Sequence, residues 1–457
     1  MAFIAPFRGL RYNLEKIGKL EEVVTPPYDV IDAKKQAVFL NRNPYNMIQL
    51  DISKEPGFSE DTATRYERAR DFFEKWQAEE ILRRDTEPAI YLYFTEYSLP
   101  SGRRLTRKGL VALVRLAEFD EGIVKPHEEI FATVAADRLR LMDVCQAQFS
   151  QIFSIYPDAK NEIMASLEAA RPAQPLYTVQ DADGALHTVW AITDPQVLAR
   201  VSQLFRDKPL YIADGHHRYN TALNYRRLLR ERNGELPETS PFNQTMMYLC
   251  PMEDPGLSVL PTHRLVRLPG DILPQASMDD LAVRLGVCFA LEEIKGGSRE
   301  ALVDEVLARM AEAAGRQKVF GLYHAAEDRC FLLALQADLA CDKSLKRPAA
   351  LRDLDVVVLS DLVIGRLLGL DHERCEHENL VRYFSDPDEA LDVAVKESFA
   401  EKNGAPLLFL MNNTQVSQVK RVADEKLIMP HKSTYFYPKV LTGLVMNKFV
   451  PGEEVRI

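Results

Sequence analysis

The chain predicts an α+β fold, and three observations carry that reading. An apolar run, Leu210–Ala213, leads through Asp214-Gly215 into a long helical pattern ending near Arg232. Ala89–Tyr97 and Leu105–Leu116 read as a strand pair across the turn Pro100-Ser101-Gly102. Residues 276–340 read as helix, strand, helix, strand and strand, a compact unit of their own. The 457 residues, 46% hydrophobic and 27% charged, suffice for a full core and favour more than one domain.

In order along the chain, Thr25-Pro26-Pro27-Tyr28-Asp29-Val30-Ile31 cannot be helical through its double proline. Asp32 caps a helix over Ala33–Leu40. A helix over residues 61–83 places Tyr66, Phe72, Phe73 and Trp76 on its apolar side. Asp137–Gln148 reads as helix, Gln151–Tyr156 as strand, and residues 160–206 as helix, hairpin, helix. Asn233-Gly234 ends the helix that follows Gly215. Residues 276–340 look like a compact α/β insertion, residues 350–370 are helical, Pro406–Met411 is strand-like and Val416–Glu425 helical. The expected division is a core with inserted elements over 1–270, a small α/β subdomain over 271–345, and a C-terminal segment over 346–457 that completes the site.

Composition narrows the function. A net charge of -10 argues against a protein that coats nucleic acid, since such affinity rests on neutralising phosphates. No run of roughly 18 apolar residues occurs, so no membrane span is expected. The N-terminus lacks a basic lead and an apolar signal core, which predicts a cytoplasmic protein. The six cysteines, Cys145, Cys250, Cys288, Cys330, Cys341 and Cys375, are far apart, and free thiols in a reducing compartment fit them best.

The chemistry concentrates in Tyr211-Ile212-Ala213-Asp214-Gly215-His216-His217-Arg218. A helix starting at once after a glycine turn offers unpaired amides and partial positive charge to an anion. Gly215 permits close approach to the backbone. His216, His217 and Arg218 add donors, and Arg218 can grip two phosphate oxygens. Asp214 is placed for a general base or a metal-holding carboxylate, or simply for a cap. In Lys125-Pro126-His127-Glu128-Glu129, His127 and Glu128 offer an acid/base pair or metal ligands, and Arg138 opens a helix where it can hold an anion. His263 and Arg264 close an apolar strand. Lys432, Lys439, Ser433 and Thr434 lie among the aromatics of Met429–Lys439, with Lys432 and Ser433 the better ligand contacts. Arg8 points to the same cleft. His372, Cys375 and His377 lack the spacing and fourth ligand of a structural zinc site.

ADGHHRYNTAL resembles the signature of the ParB/sulfiredoxin-like superfold, which includes partitioning CTPases, sulfiredoxins and free-serine kinases. TPPYDVIDAKKQAVF resembles their proline loop and helix. TPPYDVI, HEEIFATVAADRLRLM, IADGHHRYNTA, LPTHRLV and MPHKSTYFYPKVLTGLV together resemble DUF 1015, a bacterial and archaeal family of unknown function, over residues 25 to 445. The resemblance implies a ParB/sulfiredoxin-like core built from residues 1–50 and 205–265, with long insertions. Where sulfiredoxins carry a cysteine this chain has His216, so sulfinic-acid repair is not expected. Nor is there a basic DNA-binding helical cluster.

The function this implies is a nucleotide-dependent phosphotransferase using ATP or ADP with Mg²⁺ on a small hydroxyl-bearing metabolite, L-serine first. Gly215, His216, His217, Arg218, Arg8, Arg138, His263, Arg264, Lys432 and Ser433 would bind the nucleotide. Asp214, Asp29 or Glu128, with His127, would do the proton chemistry. Two alternatives stand beside it: a non-enzymatic nucleotide-binding switch, and a metal-dependent hydrolase using His127, Glu128, His216 and His217. The expected partners are a nucleotide and a small substrate, with neither nucleic acid nor membrane. All these residues are expected in one pocket.

Overall fold

In this computed structural model the described residues are 1–51, 62–129, 132–272, 277–336, 345–400 and 406–456. Parts of the helix expected over 61–83 and of the subdomain expected over 271–345, with Cys341, lie outside them. The chain forms two compact units. The first comprises residues 1–126, 130–258 and 436–457, the second residues 127–129 and 259–435.

Among the described residues the first unit carries a mixed nine-stranded sheet. Its strands are β1 (Ile4–Ala5), β2 (Ile90–Ser98), β3 (Arg104–Arg115), β4 (Val124–Lys125), β5 (Ile152–Tyr156), β6 (Tyr177–Gln180), β7 (Leu186–Ile192), β8 (Leu210–Asp214) and β9 (Gln244–Pro251). The order is β4-β8-β5-β9-β3-β2-β7-β6, with β1 beside β3. The expected hairpin pairs with Leu92 opposite Leu110. Alternation then sorts the side chains. Ile90, Leu92, Leu110, Ala112, Ile152, Ile212 and Met247 join one apolar cluster with Leu198, Val201 and Phe205 of the helix Pro195–Phe205. Each of the larger side chains, fully buried, contributes roughly 1.5–3 kcal/mol relative to exposure. Tyr91, Tyr93, Arg107, Phe153 and Tyr248 occupy the alternate positions.

The sheet corrects the expected core. Residues 1–50 supply one two-residue strand, whereas segments 90–115 and 152–192, expected as insertions, supply five of the nine. The parallel pairing of β5 with β9, nearly a hundred residues apart, is non-local and leaves no mark on local periodicity.

The second unit is built on β10 (His263–Arg267), β11 (Phe289–Ile294), β12 (Val319–His324), β13 (Arg329–Leu335), β14 (Val381–Phe384) and β15 (Pro406–Leu410), in the order β11-β13-β12-β15-β10-β14. The boundaries at 270 and 345 therefore do not separate subdomains. β12, from the middle segment, bonds to β15, from the C-terminal one.

Local signals match well elsewhere. Asp32 accepts from Lys35 N at the start of Ala33–Arg42, and Gly234 caps His216–Asn233. No helix among the described residues is long and apolar enough to cross a membrane. Cys145, Cys250, Cys330 and Cys375 are free thiols. Cys288 is disulfide-bonded, so the all-thiol expectation fails there.

Candidate functional site

The site in the first unit starts with an irregularity. Ile212 pairs with Ser154 and Asp214 with Phe153, so a bulge falls between them. The bulge re-aims Asp214 onto the face that carries Phe153 instead of the apolar face of Ile212. There Lys439 Nζ donates to Asp214 Oδ1 at 2.7 Å and Arg218 Nη2 donates to Oδ2. Burial alone would raise the carboxyl's pKa, but Lys439 and Arg218 outweigh it and hold Asp214 well below the usual carboxylate range. It is ionised and doubly paired, which makes it an organiser of cations and a weak proton acceptor.

Arg218 is only 8% exposed. Its Nη1 donates to the Gln151 carbonyl of the loop before β5. Arg218 thus ties the helix to the sheet besides facing the turn. Gly215 has φ 91° and would place a Cβ 2.8 Å from Arg218 Nε. The glycine serves the guanidinium first. Gly215→Ala should cost at least about 1–2 kcal/mol from left-handed backbone strain. The clash should add to this, and urea melts should show the extra loss shrinking in an Arg218→Ala background.

Around this turn further charged and polar groups gather, some from the quoted motifs and some, such as Asp51 and Ser150, from outside them. Arg138 stacks over the Tyr28 ring at 4.4 Å and donates to the Asp51 carbonyl at 2.6 Å and its carboxylate at 3.2 Å. Ser150 Oγ donates to Asp51 Oδ2 at 3.0 Å. Burial raises the Asp51 carboxyl against the opposing pull of Arg138. A cavity of about 50 Å³ is lined by Tyr28, Asp51, Arg138, Ser150, Arg218 and Thr221, among others. Asp29 is exposed on the short turn Tyr28–Val30, and its charge acts on Arg218. His216 is buried and His217 half-buried. Arg8 pairs with Glu453 at 3.9 Å, and no bond ties it to the Asp214 turn among the described residues.

The remaining candidates belong to the second unit. His127 is fully buried, with Nε2 3.1 Å from Thr434 Oγ1, which also lies 3.4 Å from Glu128 Oε1. Ser433 Oγ donates to the Pro430 carbonyl at 2.5 Å. Lys432 is exposed, with φ 56°. His263 Nδ1 accepts from Met411 N at 3.0 Å, and burial draws its pKa down to about 4. The sequence-predicted residues thus divide between two units. Asp214, Arg218 and Asp29 form one group, and His127 and Glu128 meet at Thr434 in another. His372 bonds to Asp361 at 3.0 Å.

Sequence reasoning missed Asp51 and Ser150 because no motif surrounds them, and passed over Thr221 although it lies in ADGHHRYNTAL. It noted Lys439 only as one of two lysines in a polar stretch, with nothing local to pair it with Asp214.

Among the described residues no group of three or more His, Cys, Asp or Glu is arranged to hold a metal ion. That donor set suits Mg²⁺ only in its usual mode, one or two carboxylates completed by phosphate oxygens. The cavity has room for a few waters or a phosphoryl-sized group. It is far below the roughly 300–1,000 Å³ of a drug-sized ligand site, so it does not enclose a nucleotide.

The model of a family described as a protein of unknown function, DUF1015, matches residues 4–357. The chain belongs to that family. No curated protein matches it. Among solved structures, a glutamate-to-alanine variant of a free serine kinase in complex with ADP is similar over 70% of this chain and 85% of its own, at 11% identity and a TM-score of 0.31. A conserved hypothetical protein from Pyrococcus furiosus is similar over 70% and 88%, at 11% identity and 0.31. SbnI with a C-terminal truncation, from Staphylococcus aureus, is similar over 73% and 86%, at 8% identity and 0.31.

Proposed function

We propose that this DUF1015 member is a nucleotide-dependent phosphotransferase acting on a small hydroxyl-bearing metabolite, with L-serine the first acceptor to test and ATP or ADP the donor. One observation carries the reading. Lys439 and Arg218 are both drawn onto a single carboxylate at the start of the eighteen-residue helix His216–Asn233, where the helix dipole is positive. Asp214 keeps the two cations at the turn. A phosphoryl group set against them meets two donors and the helix end at once. Such chemistry depends mainly on positioning and charge neutralisation.

Within this reading, Asp29 takes the hydroxyl proton, because Asp214 is spent on its cations. Mg²⁺, when bound, would neutralise phosphate charge, and with Asp214 engaged by Lys439 and Arg218 it would be held mainly by phosphate oxygens and water. His217 adds a donor at the helix start. Glu128 with His127, and Lys432 with Ser433, remain the second unit's candidates for substrate contact.

Calorimetric titration of ATP and ADP into wild type, Arg218→Ala and Arg218→Lys tests the binding half of this reading. Arg218→Ala should weaken nucleotide binding by about 2–4 kcal/mol, and Arg218→Lys should recover only part, lacking the planar fork. Because Arg218 also holds Gln151 and Asp214, the unliganded Arg218→Ala chain should melt lower as well. Equal affinities in all three proteins would remove Arg218 from the phosphate site.

A further inference from the structure

We propose that Arg264 anchors a separate oxyanion-binding subsite in the second unit. Several well-buried arginines among the described residues meet a carboxylate. Arg218 meets Asp214, Arg138 meets Asp51 and Asp137, Arg226 meets Glu118, and Arg11 meets Asp85. Among the described residues Arg107 meets none; it stands 4.8 and 5.2 Å from the Phe153 and Tyr248 rings and donates to the Pro438 carbonyl, with Nε and Nη2 left without a hydrogen bond.

Arg264 also lacks a carboxylate, but the ring beside it, Tyr383, is partly exposed, whereas the Phe153 and Tyr248 rings beside Arg107 are buried. It sits on β10, with Tyr383 of the edge strand β14 on one side and Phe409 of β15 on the other. It is 1% exposed. Its Nη1 donates to the Thr262 carbonyl at 3.1 Å. Among the described residues its Nη2 has no hydrogen-bond partner, and neither has the buried hydroxyl of Thr262 two residues earlier. Among the described residues no carboxylate pairs with it. Burial pulls the guanidinium down to about 10, so it remains charged at neutral pH.

A buried, charged, half-bonded guanidinium is costly to keep. An oxyanion resolves the cost by meeting Nη2 and the Thr262 hydroxyl together with charge-assisted bonds. Tyr383, with its ring 5.6 Å from the guanidinium carbon and 38% exposed, is the side from which a ligand reaches it. The ring of His431 stands edge-on to Tyr383 at 6.2 Å. The chemical class is a carboxylate or a phosphate. The inference stands whether or not the turn at Asp214 transfers phosphoryl groups.

Thermal melts of the full chain at constant ionic strength, with inorganic phosphate, acetate or AMP, test it. Wild type should gain Tm with at least one of the three, and the one that acts distinguishes phosphate, carboxylate and nucleotide as the source. Arg264→Met should melt at or above wild type without anion and lose the gain. Thr262→Val should keep its unliganded Tm and need severalfold more anion for the same gain. Arg218→Ala should keep the gain. No response in wild type overturns the proposal, as does an undiminished response in Arg264→Met or a response lost only in Arg218→Ala. If Arg264→Met does not fold, an unaltered response in Thr262→Val overturns it.

Discussion

Asp214→Ala is expected to lower the stability of the folded chain by about 3–5 kcal/mol, because it leaves two buried cations without their shared anion. Lys439 and Arg218, 12% and 9% exposed at the side chain, both bond to Asp214. Asp214→Asn should cost less, since it removes the charge and keeps an acceptor. The same ion cluster sets a pH signature. The folded pKa is depressed, so the carboxylate's contribution is fully present above the unfolded value of about 3.9 and lost as pH falls through the folded one. Urea melts of wild type and Asp214→Ala should therefore differ most near neutral pH and converge as the pH drops below about 4. A constant difference down to low pH would mean that Asp214 does not titrate with folding.

Asp29→Asn is expected to remove most turnover, about 10²–10⁴-fold, the usual contribution of a positioned general base. The residue is exposed on the turn Tyr28–Val30, and its charge reaches Arg218. Stability should stay within about 0.5 kcal/mol of wild type, as for other surface changes. Nucleotide affinity should move little, since the cations that meet phosphate are untouched. Steady-state rates and calorimetry on the same preparation separate the two effects. Turnover that survives in Asp29→Asn would remove Asp29 as the base.

What could be read from the sequence was local. The apolar run into Asp214-Gly215 gave the strand, the turn and the helix as observed, and Asp32 and Gly234 marked helix ends because caps depend on neighbouring residues. The hairpin at 90–115 was legible for the same reason. The order of the large sheet was not, since β9 lies between β5 and β3, which come from segments that look like insertions. The orientation of Arg218 was hidden too. Its i, i+4 spacing from Asp214 is visible in the sequence, but the bulge that brings Asp214 round, and Lys439 arriving 225 residues later, are products of tertiary structure. The buried state of Arg264 was equally invisible, because an arginine on a short strand reads as a polar edge.

The most direct measurement of the central claim is phosphorus NMR of the full chain with ATP or ADP, Mg²⁺ and L-serine or another small hydroxyl compound. The account predicts a new phosphomonoester signal growing in step with ADP formed from ATP, or with AMP formed from ADP, and its loss in Asp29→Asn. Intact nucleotide beside every acceptor, with binding still measurable by calorimetry, would contradict the transferase and leave a nucleotide-binding switch in its place.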